Sequence, residues 1–227
     1  MKKDNIKSLI KAVCFFLIVL LLFGPYVLSG ELFSVPLVRT IQSVSGDGFR
    51  YGAAYIDNAP LYKLANAKAV KAEVLALGSS RVLQFNDFFF KKDAFYNAGG
   101  SVSYFDYAEH FLSLMEKDEL PRILVIGLDE YFFNPAFSGE SYHDTDVWFA
   151  LENKKTFSSI FDEVNADVAA GKIKSQLELL LYPSRIGVMA KGHNQGFEKD
   201  GSYYYGELYA SPKPDAERVA SVVNDIM

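Results

Sequence analysis

The sequence has a single cysteine, Cys14, in 227 residues, so no intrachain disulfide can form and no cysteine cluster can hold a metal. Basic charge is not in surplus either. Lys and Arg number 23 against 28 Asp and Glu, a net charge of -5, which lacks the electrostatic footprint of a nucleic-acid binder. Histidine is limited to three residues, and there is no internal repeat, low-complexity run or phosphate-cradling glycine loop. Aromatic residues are plentiful, with 19 Phe and 14 Tyr, many in clusters such as Phe88-Phe89-Phe90 and Tyr203-Tyr204-Tyr205. Such clusters indicate a packed core, and the length gives room for one domain of ordinary size.

The N-terminus carries the strongest pattern. Lys2, Lys3, Lys7 and Lys11 lead into an apolar stretch from about Leu9 to Leu28, followed by Glu31. About 20 apolar residues suffice to cross a bilayer as a helix, and lysines on the leading side predict a cytoplasmic N-terminus with the rest of the chain outside. Ser29 and Gly30 leave a second reading open, a cleaved signal peptide. The chain thus divides into residues 1–30 as membrane anchor or signal segment, 31–58 as a stalk or linker interrupted by Pro36, and 59–227 as an extracytoplasmic domain.

Within that domain, Leu61 to Lys71 has apolar residues at helical intervals, and Glu73 to Leu77 reads as a short buried strand. Ala94 to Ala98 predicts a second strand, Tyr104 to Lys117 an amphipathic helix ended by Pro121, and "RILVIGLDE" a third strand. Apolar strands alternating with helices predict a parallel sheet covered on both faces, with sites at the carboxyl ends of the strands. Trp148 to Tyr182 reads as two helices separated by Gly171. "DGSYYYGELY" reads as a surface hairpin or strand, or as tyrosines that stack on sugar rings.

All three strand ends carry glycine beside polar residues: Gly78-Ser79-Ser80, Gly99-Gly100-Ser101 and Gly127-Leu128-Asp129. A serine at such an edge can face a crevice, and glycine lets backbone N–H groups approach a ligand. The plainer reading is that Gly78 ends a strand and one serine caps the following helix.

These blocks resemble the SGNH or GDSL hydrolases, particularly membrane-anchored members of bacterial envelopes that take part in D-alanyl or O-acetyl transfer to wall and surface polysaccharides. "LGSSR" resembles the first block and would make Ser80 the nucleophile. "YNAGG" resembles the second, whose glycine, here Gly99 or Gly100, contributes an oxyanion-hole N–H. "VIGLDE" resembles the third, with Asp129 where the family has asparagine. The resemblance spans Glu73 to Asn134 and implies a flavodoxin-like, three-layer α/β/α fold.

The sequence departs from the family at three points. Asn97 lies closer to the glycine pair than in the usual second block, and an ionised Asp129 cannot donate to an oxyanion. The Asp-x-x-His block that supplies the base has no counterpart, since Tyr107, Glu140 and Ala190 stand three residues before His110, His143 and His193. The Gly-x-Ser-x-Gly elbow of α/β-hydrolases also fails, because Val82 takes its last position. "DAERVASVVNDIM" reads as an amphipathic helix of the kind that family members follow with further strands, so the chain is expected to be incomplete at its C-terminus.

The histidines have plain readings: His110 packs within a helix, His143 lies in a polar loop with Asp144 and Asp146, and His193 sits among turn residues. No metal and no cofactor are predicted. Two functions follow. One is an envelope serine esterase or O-acyltransferase, inactive in this chain for want of the base. The other is a non-catalytic envelope module that binds a glycan or a membrane acyltransferase partner. Arg81, beside the serines, would contact an anionic polymer or pair with Asp87.

Overall fold

The apolar N-terminal stretch forms one continuous helix, α1 (Lys3–Leu28), in a computed structural model that describes residues 3–46, 48–53, 59–90, 95–102, 104–133 and 156–206. Its Ile6–Leu28 portion is long and apolar enough to cross a membrane. Pro25 falls in its last turn, where the helix meets the domain.

A short helix, α2 (Val35–Val44), and a two-residue strand, β1 (Arg50–Tyr51), follow within the segment expected as a stalk. They are packed rather than extended into solvent. Val35, Val38, Phe49 and Tyr51 form one apolar cluster with Tyr62 and Ile186. Fully burying side chains of this size contributes about 1.5–3 kcal/mol each, enough to hold so short a segment in place.

The helix α3 (Ala59–Val70) leads into β2 (Val74–Gly78), then β3 (Phe95–Gly99), α4 (Phe105–Ser113) and β4 (Ile123–Gly127). The three strands form a parallel sheet in the order β3-β2-β4, as the apolar runs predicted. Leu75, Leu77, Tyr96 and Ala98 face Leu64 and Ala67 of α3 and Tyr107, Ala108 and Phe111 of α4. Both helices therefore cover the same face. The opposite face, with Val74, Ala76 and Phe95, is covered by Val82 and Phe90 from two 3-10 turns, Ser80–Gln84 and Asp87–Phe90, and by Phe85, which directly follows the first. Among the described residues the second face thus carries turns where the resemblance implied helices.

The remainder comprises α5 (Phe157–Ala169), a 3-10 turn at Gln176–Leu180, β5 (Arg185–Ile186), α6 (Val188–Gly192), β6 (Gly196–Phe197) and β7 (Tyr203–Tyr204). The second helical stripe predicted before Tyr182 is this 3-10 turn. The short strands make a second sheet in the order β5-β1-β6-β7, in which β6 and β7 pair antiparallel. Tyr26 of α1 packs with Ile160, Val164, Ile173, Leu179 and Val188, so the end of the N-terminal helix is part of the core. The predicted C-terminal helix, with Val219, Val222 and Val223, lies outside the described residues.

Lys63 joins the two sheets. Its amine is buried and donates to the carbonyl oxygens of Asn97 (2.8 Å) and Gly201. It also lies 4.2 Å from the centroid of the Phe197 ring.

Candidate functional site

The register of the parallel sheet sets Gly78 beside both Gly99 and Gly127, so the three strand ends lie level. Directly after β2, Ser79 is buried, and its hydroxyl accepts from the Arg81 N–H at 3.3 Å, capping the 3-10 turn. Ser80 is the first residue of that turn and is exposed. The two serines thus divide the readings: one closes a helical end, and the other stands at the rim.

Val82, two residues on, explains the glycines. A Cβ at Gly78 would lie 2.5 Å from Val82 Cγ2, one at Gly127 2.3 Å from the same atom, and one at Gly99 2.9 Å from Val82 Cβ. The valine side chain lies across the row of glycines and fills the space that side chains would need. Close packing of the turn onto the sheet therefore accounts for all three glycines without a ligand.

Asn97 fixes the turn from below. It is fully buried in β3, and its Nδ2 donates to the carbonyl oxygens of Val82 (2.7 Å) and Phe85 (2.8 Å). Its Oδ1 accepts from the Gly99 N–H at 2.7 Å. Gly100, at φ 78, donates its N–H to the carbonyls of Gly78 (2.9 Å) and Ser79 (3.0 Å). Gly99 and Gly100, the alternatives for the glycine of an oxyanion hole, both have their N–H groups committed to acceptors inside the fold.

Asp129 is buried after β4, and Arg81 Nη1 lies 2.9 Å from its Oδ1. The partner of Arg81 is therefore Asp129 and not Asp87, whose backbone N–H donates to Asp200 Oδ2 at 3.0 Å. Asp129 thus has a partner inside the fold, and in its ionised form it accepts hydrogen bonds and repels a developing oxyanion. The edge thus gathers Ser80, Gly99, Gly100, Arg81 and Asp129, but in an arrangement closed by its own hydrogen bonds.

His110 lies in α4 and His193 directly follows α6, while His143, with Asp144 and Asp146, lies outside the described residues. Among the described residues no group of His, Cys, Asp and Glu is arranged to hold a metal ion. A cavity of about 190 Å³ lies beside the second 3-10 turn, lined by Phe49, Asn86, Asp87, Glu198, Lys199 and Asp200. Burial pushes the Glu198 carboxyl up, against the pull of Arg50.

Sequence reasoning named Val82 and Asn97 but missed what they do, filling the glycine row and holding the turn. A buried asparagine must be hydrogen-bonded, so its place at the end of an apolar strand was the one available signal. Compared with known proteins, the chain matches no family model, no curated protein and no solved structure.

Proposed function

We propose that this protein is a membrane-anchored, extracytoplasmic module whose sheet edge at Ser80, resembling that of SGNH hydrolases, binds a cell-envelope glycan or a membrane acyltransferase without turning over an ester. One observation carries this reading: the Gly99 and Gly100 N–H groups are occupied internally and Asp129 is paired with Arg81, so the glycine donors that the resemblance offers an oxyanion are already engaged. Retention of α1 as an anchor is supported by Tyr26, Ser29 and Glu31, all buried in the domain. Ser29 O accepts from the Gly187 N–H at 2.7 Å, and Glu31 Oε1 from the Val188 N–H at 2.6 Å. Cleavage near Ser29 or Gly30 would remove Tyr26 from the core.

A second reading, a serine esterase or O-acyltransferase, draws on the exposed position of Ser80 at the carboxyl edge of the sheet. A serine without an adjacent base is a poor nucleophile, and general-base assistance alone is worth about 10² to 10⁴-fold in rate. Hydrolysis of p-nitrophenyl acetate by the full chain in detergent separates the two. The binding reading expects no turnover that Ser80→Ala removes. Turnover lost in Ser80→Ala and retained in Ser79→Ala would establish the esterase. Intact mass of the membrane-extracted protein tests the anchor, with retention of residues 1–30 expected.

A further inference from the structure

The end of α1 does not stand clear of the domain. Phe23 and Tyr26 each meet Phe157 with ring centroids 5.8 Å apart, and Tyr26 meets Phe161 at 4.8 Å. A cavity of about 350 Å³ opens between Leu21, Leu22 and Phe23 on α1, Phe161 on α5, and Leu177 on the 3-10 turn. Its polar end is closed by Asn165 Oδ1, which accepts from Tyr26 Oη (3.0 Å) and Gln176 Nε2 (2.8 Å).

Depth decides what this surface meets. Leu21 lies seven residues before Leu28, the end of the membrane-length segment, which at 1.5 Å per residue is about 10 Å along the axis. Domain residues that pack beside Leu21 to Tyr26 therefore sit at the level of the bilayer that α1 would cross. These same elements display an apolar patch: Phe161, Leu177, Leu180, Leu181 and Tyr182 are all exposed. Large exposed apolar side chains grouped on neighbouring elements point to an interaction surface.

The rim of the patch has interfacial chemistry. Lys172 and Lys174 precede the turn, and the Arg185 guanidinium lies 4.0 Å over the Tyr182 ring. Behind the rim, the buried Lys191 donates from Nζ to the Leu181 carbonyl at 3.1 Å. Of the acidic groups nearby, Asp167 pairs with Lys172 at 2.9 Å and Glu178 accepts from the Lys174 N–H at 3.1 Å, while Asp162, next to Phe161, is exposed at the edge of the patch. Long cationic side chains around leucines and a tyrosine suit the boundary between acyl chains and headgroups.

We propose that Phe161, Leu177, Leu180, Leu181 and Tyr182 form a second membrane-contact surface, seated in the leaflet from which α1 emerges, with a lipid acyl chain entering the cavity beside Leu21. The domain then rests on the bilayer in one orientation rather than swinging from a tether. This extends the anchor reading and is independent of whether Ser80 is catalytic.

The test uses the full chain with Trp148→Phe, reconstituted in phosphatidylcholine–phosphatidylglycerol vesicles whose lipids are brominated in the upper part of the acyl chains. Tryptophan is placed singly by Leu180→Trp, by Leu177→Trp, by Phe16→Trp within the apolar helix, and by Leu114→Trp after α4. The proposal expects Leu180→Trp and Leu177→Trp to lose emission to the brominated lipid and to resist aqueous acrylamide, with Leu114→Trp behaving oppositely. Quenching of Phe16→Trp alone would overturn the proposal and leave the anchor standing, because the patch would then face water or await another protein. Absence of quenching at all positions would overturn both. Far-UV circular dichroism of each variant excludes misfolding, and agreement between positions 177 and 180 guards against a local distortion.

Discussion

Arg81 Nη1 lies 2.9 Å from Asp129 Oδ1, and this contact ties the turn after β2 to the segment after β4 across the carboxyl edge of the sheet. The carboxylate is buried while most of the guanidinium is in water, so the pair is worth less than its distance alone implies. Arg81→Gln should lower stability by about 1 kcal/mol, read as a shift in urea midpoint, and adding Asp129→Asn should recover part of the loss. An unchanged midpoint in Arg81→Gln would show that other partners of Asp129 suffice.

The glycine row gives a sharper test. Gly127 has no positive φ, so its need for glycine is steric and comes from Val82 Cγ2. Gly127→Ala should cost about 1–3 kcal/mol through overpacking. In the double variant with Val82→Ala the two losses should sum to less than their separate values, because the clash is gone. Strict additivity would remove Val82 as the cause.

Asn97→Ala removes two donors and one acceptor from a buried position, leaving the Val82 and Phe85 carbonyls and the Gly99 N–H without this partner. The expected loss is on the order of 3 kcal/mol, measured by urea unfolding. Asn97→Asp should fare no better, since a carboxylate cannot donate to those carbonyls.

What the sequence made legible follows from how local each signal was. β2 and β4 were readable because each is a continuous apolar run, and β3 because Asn97 alone interrupts one, with the Gly-polar punctuation marking their ends. β1, β5, β6 and β7 have two residues each, too few for any periodicity, and exist through pairing between distant parts of the chain. Ser80, Gly99, Gly100 and Asp129 lie at or just after strand ends that the parallel register sets level. Their engagement by Asn97, Arg81 and internal carbonyls depends on contacts that no spacing along the chain reveals.

Lys63 predicts an alkaline rise in stability. Burial pushes its amine well below the ordinary lysine value, with Asp200 opposing. The unfolded chain therefore binds this proton more tightly than the folded one, and stability increases as pH rises from the folded value toward the ordinary one. Burial also raises the phenols of Tyr62 and Tyr96, so above about pH 10, where unfolded tyrosines ionise, stability falls again. Urea midpoints across this range should pass through a maximum in the wild type, and Lys63→Met should lose the ascending limb while keeping the descent.

Tyr26 gives the N-terminal helix a stake in the domain's final packing. It reaches from the last turns of α1 into a cluster built by Ile160, Val164, Ile173, Leu179 and Val188, all of which are synthesised more than 130 residues later. In a chain whose α1 is laterally released into a bilayer, this cluster closes only after translocation of the downstream segment, against a helix already fixed in place. Under the proposed anchoring, biogenesis would acquire an order: insertion first, domain closure second, with the N-terminal helix serving as the template on which the rest of the chain completes itself.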